Sequence, residues 1–290
     1  MNPPLICSVG DLISDVVVLL DRDPQRGTDT PAKIQRTRGG SAANVCAAVV
    51  AAGGRSRFVG QVGNDADGEL LTASLAAAGV EMHASRQGSS GTIVALVDSS
   101  GERSFLTDRG ASIHLSFIDS AVLDNVDVLH VPLYSLVTGA LAEATQRLIG
   151  EAIDREIPVT LGTSSVSVLA EFGRGEFLAL VKNLKPHIVF ANHDEARFAL
   201  DGHPWFVGAG ATVVTAGSRP ARFTRPDGSD WRSAPEETLV TDTTGAGDGF
   251  TAGFLVSWCG GDDPEVWLAA GHRLARRSLN AVGASLDSLR

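Results

Sequence analysis

The stretch Thr241-Asp242-Thr243-Thr244-Gly245-Ala246-Gly247-Asp248 decides the fold of this chain. It comes directly before residues 249–256, a small and apolar run that predicts a helix. The two glycines leave backbone N–H groups uncovered at the start of that helix, and such a terminus binds anions. A carboxylate at Asp248 would repel an anion, so its presence favours a general base for a hydroxyl whose phosphoryl donor the N–H groups hold. The alternative for a bare GxG is a glycine-rich turn before an ordinary helix.

A second stretch, Arg38-Gly39-Gly40-Ser41-Ala42-Ala43-Asn44, also predicts a ligand contact at the start of a helix. Paired glycines let a ligand approach the backbone closely. Ser41 is the expected N-cap of a helix over residues 41–52. Asn44 lies one turn into that helix, where its amide can both donate and accept hydrogen bonds. The alternative here is a tight turn followed by a surface asparagine.

Composition excludes several classes of protein. The 290 residues are 43% hydrophobic and 20% charged, which is enough for a large core in one α/β domain or two small ones. A net charge of −10 argues against general binding to nucleic acid or to an anionic membrane. Three widely spaced cysteines predict a reduced, cytoplasmic protein without a disulfide framework. We expect neither a secretory leader nor a membrane span, and the scattered histidines do not predict a metal site.

Beyond residue 115 the chain alternates between strand and helix patterns, which predicts a parallel sheet with helices on both faces. The predicted strands there are 126–131, 158–161, 188–191 and 212–215, and the predicted helices are 139–155, 175–184 and 194–200. Hairpin patterns are present at 92–107 and 221–232. The polar and hairpin segments at 11–38 and 90–110 do not fit the alternation, so they suggest a small β-lid projecting from the main sheet.

The octapeptide, the stretch 38–44 and a third stretch, Gly60-Gln61-Val62-Gly63-Asn64-Asp65-Ala66-Asp67-Gly68, resemble the sequence motifs of the ribokinase (PfkB) family of carbohydrate kinases. The motifs occur in the order that the family has, and the resemblance covers essentially the whole chain. It implies a ribokinase-like α/β fold, a three-layer sandwich around a mostly parallel sheet with a small β-lid. It also implies one kinase domain over 1–290, whose lid is formed by segments at about 11–38 and 90–110.

The activity implied by the resemblance is transfer of the γ-phosphoryl group of ATP to a primary hydroxyl of a sugar or sugar-like small molecule, with Mg²⁺ as cofactor. Asp248 would be the base, and the anion hole would comprise Gly245, Ala246 and Gly247. The substrate would be held by Asp15, Gly39, Gly40 and Asn44, and the nucleotide by Asn192, Thr215, Gly217 and Ser218. Glu195 would order Mg²⁺ through water. Asp242 and Thr244 match positions that help to bind a monovalent cation, which makes K⁺ a further candidate. Homodimerisation through the lid is common in the family.

Several positions depart from the family pattern. Ile13 replaces an asparagine of sugar-specific members, and Tyr134 lies at or beside the position of a substrate-binding glutamate in ribokinase. Gly162-Thr163 replaces the usual Asp or Asn followed by Pro. Arg109, directly after the second lid strand, could pair with a carboxylate or phosphate of the substrate; the alternative is a salt bridge within the lid. Together Arg109 and Tyr134 predict that an anionic sugar is used at least as well as ribose.

Three other functions compete with the sugar kinase. The nearest is a nucleoside kinase of the adenosine type on the same fold, because such kinases keep the same motifs. A non-catalytic sugar-binding or regulatory protein is disfavoured by the intact glycines and by Asp248. An NAD(P)-dependent oxidoreductase is disfavoured because no GxGxxG follows an early strand, and a Walker-type phosphate loop is excluded because GxxxxGK[ST] is absent.

Overall fold

The computed structural model describes residues 2–100, 102–238 and 243–280. Within them, the strands are β1 (Leu5–Val9), β2 (Ile13–Leu20), β3 (Ala32–Gly39), β4 (Arg55–Val62), β5 (Glu81–Arg86), β6 (Thr92–Val97), β7 (Arg103–Asp108), β8 (Val128–Pro132), β9 (Val159–Gly162), β10 (Ile188–Asn192), β11 (Thr212–Ala216), β12 (Arg219–Thr224) and β13 (Asp230–Ser233). The α-helices are α1 (Ser41–Ala51), α2 (Ala66–Ala77), α3 (Gly139–Asp154), α4 (Val166–Phe172), α5 (Arg174–Leu184), α6 (His193–Leu200), α7 (Ala246–Cys259) and α8 (Pro264–Leu279).

In this part of the chain, the large sheet has nine strands in the order β13-β12-β11-β10-β9-β8-β1-β4-β5. Neighbours from β11 to β5 are parallel, and β12 and β13 add an antiparallel edge. The sheet is covered on both faces, since successive residues of β1 enter different cores. Ile6 packs with residues of α1, α7 and α8, whereas Cys7 packs with residues of α3, α5 and α6. The predicted ribokinase-like sandwich around a mostly parallel sheet is confirmed.

The segments predicted to form a lid build a second sheet of four strands, in the order β3-β2-β6-β7. β2 runs parallel to β6, and the two outer pairs are antiparallel. Large apolar side chains stay exposed on it, with Ile34 at 62%, Phe105 at 59% and Leu106 at 61%. That this small sheet acts as a lid stays a prediction.

The stretch 60–68 fixes both ends of the β6–β7 hairpin to the large sheet. Asp65 accepts hydrogen bonds from the backbone N–H and the hydroxyl of Ser90, just before β6, at 2.7 and 2.6 Å. The Gln61 amide donates to the carbonyl of Ala111, just after β7, at 3.1 Å. Gly63 is required here, because a Cβ would lie 2.2 Å from the Ser90 nitrogen. These contacts hold both ends of the hairpin against the large sheet.

The elements that the sequence missed are short or polar. β3 carries mostly exposed side chains, so it lacks the apolar alternation that predicts a strand. The expected N-cap at Ser41 was wrong: Gly40 caps α1, and Ser41 is the first helical residue. All three cysteines are free thiols. No helix in the described part of the chain is both long and apolar enough to cross a membrane.

Candidate active site

The candidate base lies where two helices begin side by side. Asp248 is in the first turn of α7, and α1 supplies a donor to each of its carboxylate oxygens. The Ser41 hydroxyl donates to Oδ1 at 2.7 Å, and the Asn44 amide donates to Oδ2 at 3.0 Å. Burial raises the pKa of the Asp248 carboxyl to about 6, although the two hydrogen bonds oppose the rise; the charge of Glu195 adds to it. This carboxylate is therefore suited to accept a proton near neutral pH.

The amide oxygen of Asn44 is an unsatisfied hydrogen-bond acceptor beside Asp248. It is 8% exposed, and its Oδ1 receives no hydrogen bond from the described residues. A buried acceptor without a donor is costly, so such an atom in a cleft indicates a ligand group that donates to it. A hydroxyl of a bound molecule would satisfy Asn44 Oδ1 beside Asp248, in agreement with the predicted substrate role of Asn44.

The glycines of the octapeptide differ from one another in what they provide. Gly245 is the N-cap of α7 with φ of +74°, which favours glycine. A Cβ on Gly247 would meet no described atom within 4 Å, so open space lies above the first turn. The N–H of Ala246 already donates to the carbonyl of Thr243 at 3.3 Å. The candidate anion hole thus consists of Gly247 and the adjoining first-turn N–H groups, with Ala246 engaged in a turn.

The glycine pair before α1 fits tightly between neighbouring backbone and side chains. A Cβ on Gly39 would lie 2.2 Å from the carboxylate of Asp15, and one on Gly40 would lie 2.2 Å from the carbonyl oxygen of Asp11. Gly40 has φ of +100°. The predicted substrate residues Asp15, Gly39 and Gly40 are therefore brought together with Asn44, at one end of α1.

Arg109 forms the alternative predicted for it, a salt bridge, and its partner is Asp11, the first residue of the predicted lid segment 11–38. Its Nε and Nη2 each donate to the Asp11 carboxylate at 2.8 Å, and Asp11 is buried. Nη2 also donates to the carbonyl of Tyr134 at 2.9 Å, and the guanidinium lies 5.9 Å from the centre of the Tyr134 ring. The carboxylate of Asp11 therefore compensates much of the positive charge of Arg109 that was predicted to attract an anionic substrate. Nη1 donates to no described residue.

The predicted Asn192 and Glu195 form a capping box at the start of α6. The Glu195 carboxylate accepts from the backbone N–H of Asn192 at 2.8 Å and from its amide at 2.6 Å. The hydroxyl of Thr163 lies 2.5 Å from Glu195 Oε2 and also contacts the carbonyl of Phe190. Burial raises the pKa of the Glu195 carboxyl, and these hydrogen bonds oppose the rise.

The predicted nucleotide residues lie at the carboxyl ends of neighbouring strands. Asn192 and Thr215 are paired across β10 and β11, and Gly217 and Ser218 follow in an exposed turn where Gly217 has φ of +61°. Thr244 is half-buried, whereas its predicted partner Asp242 lies outside the described residues.

Three contacts of the site were missed in the sequence. Asp11 lies 98 positions from Arg109, and Ser41 lies 207 positions from Asp248. Thr163 had been noticed only as a departure from a family motif. No local pattern reveals such contacts, because each joins segments that are distant in the chain and that only the folded sheet brings together.

Comparison with known proteins identifies the family and the fold. The family model "pfkB family carbohydrate kinase" matches residues 3–289. An ATP-dependent ribose-1-phosphate kinase of Halopiger xanaduensis is 30% identical over 270 residues, covering 90% of this chain and 86% of that protein. A ribokinase of Arabidopsis thaliana is 26% identical, covering 97% of this chain and 77% of that protein.

Solved structures show the same fold. Adenosine kinase from Sinorhizobium meliloti superposes with a TM-score of 0.86 at 23% identity, covering 100% of this chain and 98% of that one. Both the family model and the 30% identical relative extend over nearly the whole sequence. The chain therefore belongs to the PfkB family of carbohydrate kinases and is an ATP-dependent sugar kinase.

Proposed function

We propose that Asp248 removes the proton from a primary hydroxyl of a sugar or sugar-like molecule while that oxygen attacks the γ-phosphorus of ATP. The observation that carries this proposal is the environment of Asp248. Both carboxylate oxygens are oriented by α1, the pKa is raised to about 6, and the adjoining first turn of α7 is open. At pH 7 such a carboxylate is mostly ionised and still basic enough to accept a proton.

The surrounding groups have separate parts in the transfer. The N–H groups of Gly247 and Asp248 in the first turn of α7 face developing charge on the transferred phosphoryl group, because helix N-termini favour anions. Asn44 Oδ1 and the Asp15 carboxylate accept hydrogen bonds from sugar hydroxyls, which places one hydroxyl against Asp248. Holding the acceptor in line accounts for much of the rate enhancement in phosphoryl transfer.

Glu195, beside the predicted nucleotide residues, suits a contact with Mg²⁺ through a bridging water. The described residues contain no cluster of three or more His, Cys, Asp or Glu side chains that could hold a metal alone. Mg²⁺ usually keeps several waters and binds through few carboxylates plus substrate phosphates. Glu195 already accepts three hydrogen bonds, so contact through a water suits it better than direct ligation. Bound Mg²⁺ would neutralise phosphate charge.

The substrate class rests on Arg109. Its Nη1 group donates to no described residue, and a protein 30% identical to this chain is named a ribose-1-phosphate kinase. Both observations favour an anionic sugar as one substrate. Compensation by Asp11 favours a neutral sugar instead, since the pair carries no net charge. A nucleoside stays a competing acceptor, because an adenosine kinase shares the fold.

ATP turnover against sugars, sugar acids, sugar phosphates and nucleosides tests this, in wild type and in Arg109→Ala. A charge-assisted hydrogen bond contributes about 1.5–3 kcal/mol, so kcat/KM for an anionic sugar should fall roughly tenfold to a hundredfold. Neutral sugars should change much less. Arg155→Ala, which removes an exposed ion pair with Asp124, is the matched control. If Arg109→Ala affects all acceptors equally, Arg109 serves only as a tie between loops.

Three further features complete the proposal. The exposed apolar side chains of the small sheet, Ile34, Phe105 and Leu106, support a homodimer formed through that sheet, which analytical ultracentrifugation of Phe105→Glu would test.

K⁺ activation through Thr244 and Asp242 is tested by exchanging K⁺ for a large organic cation. A cytoplasmic location, where ATP and Mg²⁺ are both abundant, is tested by cell fractionation.

A further inference from the structure

Ser41 has a contact that its position in the chain does not explain. It is the first residue of α1, one position after the N-cap from which a serine side chain usually caps its own helix. Gly40 takes the N-cap position instead, and the Ser41 hydroxyl leaves its helix to donate to Asp248 Oδ1 at 2.7 Å. Ser41 as a residue is half-buried, and the hydrogen bond to Asp248 is partly buried.

Ser41 and Asn44 act on Asp248 from one face of α1. They are three residues apart, which places their side chains next to each other on the helix surface. One donates to Oδ1 and the other to Oδ2, so the carboxylate cannot rotate without losing a hydrogen bond. The start of α1 is itself fixed, because Gly40 packs directly against the Asp11 backbone.

We infer that Ser41 is a positioning residue for the phosphoryl-transfer reaction: its hydroxyl holds the Asp248 carboxylate at the angle at which it meets the acceptor hydroxyl. The inference rests on the proposed role of Asp248 as base. It separates Ser41 from Asn44, whose unsatisfied Oδ1 gives it a second task toward the substrate. No task besides orienting Asp248 is visible for the Ser41 hydroxyl among the described residues.

The pH profile offers a readout that loss of packing would not change. The groups acting on Asp248 are Ser41 and Asn44 from α1 and Glu195 from α6; the charge of Asp248 in turn raises the pKa of Tyr134, after β8. The Ser41 hydrogen bond lowers the pKa of Asp248 against the larger effect of burial. Removing that donor therefore moves the acidic limb of kcat to higher pH.

The experiment compares Ser41→Ala, Ser41→Thr and Ser8→Ala with wild type. Ser8 is a buried serine in β1 whose hydroxyl donates to the backbone carbonyl of His130, so its variant controls for the loss of a buried hydroxyl. For Ser41→Ala we expect kcat at the alkaline plateau to fall about tenfold through misplacement of the base. The acidic limb should move up by about one pH unit, and KM for the sugar should stay within about twofold. Ser41→Thr should restore most of both, while Ser8→Ala should lower Tm alone.

Two results would overturn the inference. One is a Ser41→Ala enzyme with the kcat and acidic limb of wild type. The other is a Ser41→Thr enzyme, folded with the Tm of wild type, that is as impaired as Ser41→Ala. Asp248→Asn is run in parallel: if it stays active, the proposed base is wrong, and if it is inactive while Ser41→Ala is unchanged, only the role of Ser41 is wrong.

Discussion

The helices α6 and α7 begin at the same edge of the large sheet and carry a carboxylate at the same third position, yet the two ends differ. In α6 the N-cap Asn192 and Glu195 satisfy each other in a capping box, and Thr163 adds a third hydrogen bond to the carboxylate. In α7 the N-cap is Gly245, which has no side chain. Asp248 turns away from its own helix and toward α1.

The N-cap residue determines whether the first-turn N–H groups of a helix are available to a ligand. A capping box uses the first-turn N–H groups internally, which stabilises the helix but closes the site to a ligand. A glycine N-cap leaves those groups open, and the missing stability has to come from packing elsewhere. Because α7 is buried between the sheet, α1 and α8, it can dispense with a side-chain cap.

The largest expected effect comes from Asp248→Asn. Because the amide cannot accept a proton, kcat should fall by roughly 10²–10⁴-fold, the range for a lost general base. ATP binding, measured by calorimetry, should change little. The wild-type kcat should also rise with pH around a midpoint near the Asp248 pKa of about 6, since the base works only when ionised. A variant with nearly wild-type turnover would remove Asp248 from the mechanism.

A smaller effect separates the two glycines of the α7 end. Gly247→Val introduces a side chain into open space where phosphate has to approach, so kcat should fall roughly 10²-fold, as for a lost anion-hole donor, while Tm stays near wild type. Gly245→Val should lower activity and Tm together, because Gly245 has φ of +74°. If Gly247→Val unfolds the protein as readily as Gly245→Val, the loop is structural and the anion hole is unsupported.

The smallest effects are expected at the α6 end. Glu195→Gln should raise the Mg²⁺ concentration needed for half-maximal activity by about 10-fold, the low end for a disturbed water-mediated contact. Asn192→Ala should lower the free energy of unfolding by about 1 kcal/mol through loss of the cap, as read from denaturant titration. Full activity of the wild type in excess chelator would contradict the metal assignment, and a Glu195→Gln enzyme that differs only in Tm would make Glu195 a cap alone.

Features that depend on local sequence pattern could be predicted, whereas contacts between distant segments could not. Long periodic elements such as α3 and the β6–β7 hairpin were predicted, because local pattern determines them. β3 was missed because its exposed side chains carry no such pattern. Asp248 and the glycines could be proposed from their motif, whereas the contacts of Ser41 and Asp11 could not. Both contacts join segments that meet only after the strands take their places in the sheet.

The fixed base of the β6–β7 hairpin has a geometric consequence. Asp65 and Gln61 hold the two ends of the hairpin at Ser90 and Ala111, while β6 is paired with β2 along its length. Arg109 lies two residues before Ala111, at the anchored end, whereas the far turn lies about 20 Å away along the six-residue strands. The position of the guanidinium is therefore set by the large sheet and not by the outer turn of the hairpin.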